Sequence, residues 1–258
     1  MKLFLQLGRG IFGIYAVIVF TSFLLLIFPL VIIASFFGKT KGGNFIYWLC
    51  HIWADVFLFM LGIRQAHIYE SRPDPQQQYV FIFNHIAYID IPLLMKAVRH
   101  RHFRILGKAE LSKVPVFGFL YRNAVVLVDR NSAGNRAKSI LQLKSVIKKG
   151  ISIIIFPEGT FNTTGQPLKE FYDGAFRVAI ETQTPIKPIL FLDTYDRNNH
   201  HSILSFTPGK SRIVYLDEIP VEGLTTADVK TLKEKAYKIM EEKLIAYKAS
   251  WINMAERM

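Results

Sequence analysis

A histidine and an aspartate, His85 and Asp90, stand with four residues between them in the stretch FIFNHIAYIDIP (residues 81–92), directly after an apolar run. An imidazole ordered by a carboxylate is a competent base near neutral pH, because a hydrogen bond at one ring nitrogen leaves the other free to take a proton. The spacing sets a condition on that chemistry. Five steps along an α-helix turn through about 500° and leave the two side chains roughly 140° apart, on different faces. The pair therefore meets only if a strand ends near Asn84 and the chain turns before a helix begins. Spacing alone leaves a second reading open: a packed core histidine and a separate carboxylate favoured by a helix N-terminus.

Two further places carry polar residues at the end of an apolar run. Arg130 follows AVVLVD, and Glu158, Gly159 and Thr160 follow ISIIIF through Pro157. In α/β sheets chemistry gathers where parallel strands end and helices begin. No third His or Cys stands at ligand spacing near His85, so a metal centre is not expected. There is no GxSxG elbow, and the one cysteine, Cys50, lies in an apolar segment, so no side-chain nucleophile competes with the histidine. A single cysteine also excludes a disulfide framework and fits a reducing compartment.

The elements that must position these residues are legible from residue 66 onward. Strands are predicted at 66–70, 79–83, 103–106, 124–129, 151–156, 186–191 and 211–216, and helices near 91–100, 109–121, 133–149, 172–183 and 226–248. The runs AVVLVD and ISIIIF are continuous rather than alternating, as in strands covered on both sides. The expected fold class is α/β: a mixed, largely parallel sheet with helices on both faces, in one domain over residues 64–258.

Residues 1–63 have a different texture. Positions 11–37 carry no charge, and as a helix they would run about 40 Å, longer than the roughly 30 Å hydrocarbon core of a bilayer. Pro29 could kink that segment. A basic turn, GKTKGG, leads into a second apolar stretch at 44–63, which holds His51 and Asp55 on one helical face beside Trp48 and Trp53. Residues 1–63 are thus expected to form a membrane-associated helical hairpin. Lysines or arginines flank the first segment on both sides, so the distribution of positive charge gives no orientation. Two local patterns are decoys. GRGIFG (residues 8–13) matches a dinucleotide fingerprint, yet it opens a membrane segment and the first acidic residue of the chain is Asp55. Asn162-Thr163-Thr164 reads as a glycosylation sequon, which has no meaning on a cytoplasmic face.

The chain has 258 residues, 51% of them hydrophobic, and a formal charge of +12. That balance calls for anionic partners. Basic runs such as RHRHFR and LKSVIKKG suit docking to an anionic membrane surface, each residue being worth about 1 kcal/mol near such lipid. Nucleic acid is not expected, since no recognised binding motif accompanies the charge.

Taken together, the motifs carry more than any one of them. Asn84-His85-(four residues)-Asp90 and Phe156-Pro157-Glu158-Gly159-Thr160 occur in order, with Val128-Asp129-Arg130 between them and Pro185-Ile186-Lys187-Pro188-Ile189 after. Lys108-Ala109-Glu110-Leu111, then Pro115 and Gly118, follow the first motif. Over residues 66–216 this resembles the glycerolipid acyltransferases, whose best-known members are the 1-acylglycerol-3-phosphate acyltransferases. The resemblance implies acyl transfer from a thioester to a lipid hydroxyl, with no covalent enzyme intermediate and no cofactor beyond the thioester itself, carried by coenzyme A or by acyl carrier protein. It implies His85 as general base and Asp90 as its partner. It places Asn84, Lys108, Arg130, Glu158, Gly159 and Thr160 about the acceptor, with Arg130 and Lys108 toward a phosphate. The implied product is phosphatidate, made from lysophosphatidate on the cytoplasmic face of a membrane. Two departures favour a different acceptor, such as a lyso-aminolipid. Phe161 follows Thr160 where the family commonly has arginine, and Tyr172 stands where it commonly has lysine. Lys169 and Arg177 are the candidates to supply the missing charge. A catalytically inactive lipid-binding homologue is the third reading, against which the intact His85 and Asp90 weigh.

Overall fold

A computed structural model of the chain describes residues 2–99, 101–128 and 133–252. Seven strands form a single sheet: β1 (Ile63–Tyr69), β2 (Val80–Phe83), β3 (Phe103–Lys108), β4 (Val126–Val128), β5 (Ser152–Ile155), β6 (Ile186–Phe191) and β7 (Gly209–Tyr215). Their order is β1-β7-β6-β2-β5-β3-β4, with every neighbouring pair parallel except β6 and β7. All seven predicted strands are present, and the sheet is mixed and mostly parallel as expected.

Alternation along the strands divides two cores. Phe81 and Phe83 of β2, Phe103 of β3, Ile154 of β5 and Phe191 of β6 face one layer. Val80, Ile82, Ile153, Ile155 and Leu190 face the other. The second layer is built by α5 (Ala133–Ile147), α6 (Gly174–Glu181) and α8 (Val229–Ala246), which bury Leu143, Phe176 and Met240 against the sheet. A period of two with both faces apolar accounts for the continuous runs in the sequence.

The first layer contains the N-terminal segments. Helix α1 (Lys2–Ser35) and helix α2 (Gly43–Met60) are joined by a π-helical turn at Gly38–Gly42. The close approach at that turn needs glycine, since a Cβ on Gly42 would lie 2.0 Å from the Ala34 carbonyl oxygen. Pro29 sits inside α1, and its helix continues through it. Both helices are long and apolar enough to cross a membrane by length and composition. Ile46, Leu58 and Phe57 of α2 belong to the same apolar cluster as Phe81 and Phe103 of the sheet, so α2 is part of this core.

Helices α3 (Asp90–Ala97) and α4 (Phe117–Ala124) complete that layer. The predicted helix over 109–121 is divided. A 3-10 turn at Ala109–Lys113 stops at Pro115, which lacks an amide hydrogen, and α4 starts after Val116 at a φ of 61°. Two polar residues of α2, Asp55 and His51, are spent on α3 and the residues just past it. Asp55 accepts from Arg99 at 2.6 and 2.7 Å, and His51 Nδ1 lies 2.7 Å from the Met95 carbonyl oxygen.

Arg104 fastens the hairpin turn to β3. It is 4% exposed and donates to the carbonyls of Lys39 (2.9 Å) and Thr40 (3.1 Å) and to Asn44 Oδ1 (2.8 Å). Tyr47 adds a bond from the Ile105 amide at 3.0 Å. Arg104 also donates to the Phe103 carbonyl at 2.8 Å, and a buried cation held by these oxygens cannot lose its partners cheaply, nor they it. Replacing Arg104 by Met should lower stability by about 3 kcal/mol, read as a fall in Tm of the purified protein in detergent.

Candidate active site

β2 and β5 are neighbours at the centre of the sheet, with Ile82 in register with Ile155. Their crossovers leave in opposite directions. From β2 the chain passes through α3 to β3, beyond β5; from β5 it passes through α6 to β6, on the far side of β2. The crevice outside the carboxyl ends of such strands is where α/β sheets hold ligands. His85 lies just past β2, and Glu158 just past β5.

The condition set by spacing is met. β2 ends at Phe83, the chain turns at residues 87–89, and α3 begins at Asp90. Asp90 is fully buried at the N-terminus of α3, where the helix dipole favours its charge. Its Oδ2 accepts from His85 Nδ1 (2.8 Å) and from the amides of Ile86 (2.7 Å) and Ala87 (3.1 Å). Oδ2 therefore holds the ring and the backbone that carries it. With Nδ1 committed to the carboxylate, Nε2 is the nitrogen left to take a proton, and among the described residues it has no protein partner.

Aromatic rings enclose the imidazole. Phe156 stacks on it at 4.0 Å between centroids and 21° between planes, and Phe161 meets it edge-on at 4.5 Å. Tyr88 in turn packs edge-on against Phe161 at 4.9 Å. The side chain of His85 is only 16% exposed. Sequence reasoning gave neither phenylalanine this place. Phe156 read as the end of a strand, and Phe161 as a lost basic residue.

Glu158 joins the two strand exits. It is 1% exposed, and Oε1 accepts the His85 amide (2.9 Å) while Oε2 accepts the Lys169 amide (2.8 Å). Burial pushes its carboxyl up to about 8, against the lowering influence of those two amides and of the Lys169 charge. Gly159 takes a φ of 72°, a left-handed conformation that glycine adopts without strain, and its amide closes a turn on the Phe156 carbonyl at 2.9 Å. Thr160 Oγ1 accepts from Lys169 Nζ. Asn162, part of the apparent sequon, is 2% exposed, and its amide donates to the His85 carbonyl at 2.7 Å.

The remaining expected residues are dispersed. Asn84 is fully buried and turned into the sheet, where its amide group pairs with both backbone atoms of Phe191 at 2.9 and 3.0 Å. It ties β2 to β6 at the strand ends. Lys108 is exposed at the end of β3, in register with Val128 of β4. Arg130, two residues further on, lies outside the described residues. Among the described residues there is no cluster of three metal-ligating side chains.

Similarity to known proteins places the chain that carries this pair in a known class. Residues 64–192, half of the chain, match the acyltransferase family, and the protein belongs to that family. The chain is 30% identical over 178 residues to the 1-acyl-sn-glycerol-3-phosphate acyltransferase alpha of Homo sapiens, covering 67% of this chain and 59% of the relative. It is 27% identical over 190 residues to the human beta enzyme, covering 71% and 66%, so it spans about two thirds or less of these relatives' length. A bacterial 1-acyl-sn-glycerol-3-phosphate acyltransferase, from Haemophilus influenzae, is 28% identical over 187 residues, 72% of this chain and 76% of that one. In three dimensions the chain resembles the crystal structure of the 1-acyl-sn-glycerophosphate acyltransferase PlsC from Thermotoga maritima. The TM-score is 0.74 at 20% identity, covering 97% of this chain and 99% of that one, a likeness of fold that extends to the N-terminal helices.

Two measurements address this geometry. Asp90→Asn keeps the shape but presents an amide to Nδ1, and kcat for acyl transfer should fall about a thousandfold or more; an effect on KM alone would contradict the pairing. For Glu158, the carboxyl titrates at 4.5 when free and at about 8 here, so its contribution to stability is full below 4.5 and is lost as pH rises through about 8. The Tm of the wild type relative to Glu158→Gln should accordingly decline between pH 4.5 and 8, and a flat difference would refute it.

Proposed function

We propose that the protein moves a fatty acyl group from a thioester, borne by coenzyme A or acyl carrier protein, to the free hydroxyl of lysophosphatidate, making phosphatidate. The observation that carries this reading is the His85–Asp90 contact at 2.8 Å, with Nε2, beside the aromatic enclosure, left unpartnered among the described residues. Nε2 removes the proton of the acceptor hydroxyl as its oxygen attacks the thioester carbonyl. The tetrahedral intermediate then expels the thiolate, which takes the proton back from the imidazolium. Asp90 stabilises that imidazolium and holds the tautomer. The acceptor is inferred from relatives named for 1-acyl-sn-glycerol 3-phosphate. Lys108, at the end of β3, and Arg130, the arginine of the second motif, are assigned to its phosphate.

Two apolar helices support action at a membrane surface, and the cytoplasmic side for the sheet domain is what the family resemblance implies. Apolar side chains exposed on α1 include Ile11, Ile18, Leu26 and Ile33, and Phe36 and Phe37 follow its end. That surface suits lipid, from which a lysolipid would enter the site.

A second acceptor class, lysolipids without phosphate, is favoured by Phe161 and by Tyr172, which is 65% exposed and carries no charge. Purified protein given a labelled acyl thioester and a panel of lysolipids separates the two. Lysophosphatidate should be the preferred acceptor, and His85→Ala should lose about a thousandfold or more of the turnover. Acylation of a lyso-aminolipid with lysophosphatidate ignored would overturn the acceptor, and full turnover by the His85 variant would overturn the mechanism.

A further inference from the structure

We propose that Lys169 is the cation that recognises the phosphate of the acceptor at the third motif, in the role left vacant by Phe161; this rests on the phosphate-bearing acceptor inferred above. Lys169 Nζ donates to Thr160 Oγ1 and to the Phe161 carbonyl oxygen (3.4 Å). Both partners are neutral oxygens, and an ammonium has three donors, so one hydrogen and the whole charge are unspent. Among the described residues no carboxylate lies within ion-pair distance of it. The residue is half-buried, and a charge withdrawn from water without a counter-ion is costly unless a ligand supplies one.

The acidic groups nearby do not cancel it. Glu158 is buried with both oxygens capped by backbone amides, and its raised carboxyl is largely neutral at pH 7. Asp173 pairs with Lys233 of α8 at 2.7 Å, and it lines a groove against α8 together with Glu170. Arg177, the other candidate for the missing charge, lies 3.9 Å from Glu181 and is 53% exposed.

Position argues the same way. The amide of Lys169 and the amide of His85 are held by the two oxygens of one carboxyl group, so cation and base share a single rigid support. Phe161 bridges them, with its ring against the imidazole and its carbonyl on the ammonium. A lysolipid whose phosphate meets Lys169 is thereby presented with its hydroxyl near Nε2. The bound phosphate also offsets a positive charge beside an imidazole that must itself become cationic during transfer.

The test is a specificity ratio. Wild type, Lys169→Gln and Lys169→Arg are assayed with lysophosphatidate and with the monoacylglycerol of the same chain length, at saturating acyl thioester. Lys169→Gln keeps a donor for Thr160 but no charge. Its ratio of kcat/KM for the phosphorylated to the neutral acceptor should fall about 10- to 100-fold, mostly through KM, and Lys169→Arg should restore most of it. The neutral acceptor guards against simple misfolding, which would lower both activities and leave the ratio intact. An unchanged ratio in Lys169→Gln, with a wild type that uses lysophosphatidate, overturns the role of Lys169 alone. A wild type that ignores lysophosphatidate overturns the acceptor reading, and this inference with it.

Discussion

One carboxylate oxygen organises the site. Asp90 Oδ2 collects the imidazole N–H of His85 and two consecutive backbone amides, all within 3.1 Å, in a place with no exposure to water. Such an arrangement supports a buried anion through one oxygen, Oδ1 having no hydrogen-bond partner among the described residues, and leaves the ring a single orientation. It works only because α3 starts at Asp90 itself, so that the carboxylate sits at a helix N-terminus and points back over the turn. The location of that helix is in turn set by α2, through Asp55 with Arg99 and His51 with Met95.

The apolar hairpin and the His85–Asp90 pair are therefore mechanically joined. The hairpin turn is clasped to β3 by Arg104, α2 is pinned to α3, and α3 carries Asp90. The apolar surface proposed to meet lipid and the base proposed to act on a lipid hydroxyl are set relative to each other by buried polar contacts rather than by a tether. On the other side of the crevice Glu158 does comparable work, tying the exit of β2 to the loop that leads into α6. Both strand exits thus converge on His85 from opposite sides.

Much of this was legible in the residues. The seven strands, the two apolar helices and the strand–turn–helix demand of the His85–Asp90 spacing follow from periodicities of 2 and 3.6 and from the reach of a helical turn. The family motifs were legible because they are local: each is a few residues at a strand end. What was missed is of another kind. Phe161 read as a loss of charge and proved to be a wall of the imidazole site. Asn84 read as a substrate contact, yet its amide is spent on Phe191, 107 residues away in sequence. Asn162 read as a sequon and is instead a buried brace of the His85 carbonyl. His51 and Asp55 read as features of an interfacial helix, though their partners lie 44 residues further on.

The division has a physical reason. Alternation, apolar length and turn chemistry act between neighbours in the chain, so the sequence by itself determined the element types, the sheet class and the condition under which His85 could meet Asp90. Which element lies beside which is decided by closing long loops and by burying both faces of one sheet, and no local pattern encodes that. Only the tertiary structure, therefore, decided that Glu158 would cap His85 from 73 residues away, and that Phe156 and Phe161 would enclose its ring. It alone brought Lys169 to Thr160 as an ammonium without a counter-ion among the described residues, because charge compensation depends on neighbours in space, and the sequence names only neighbours in the chain.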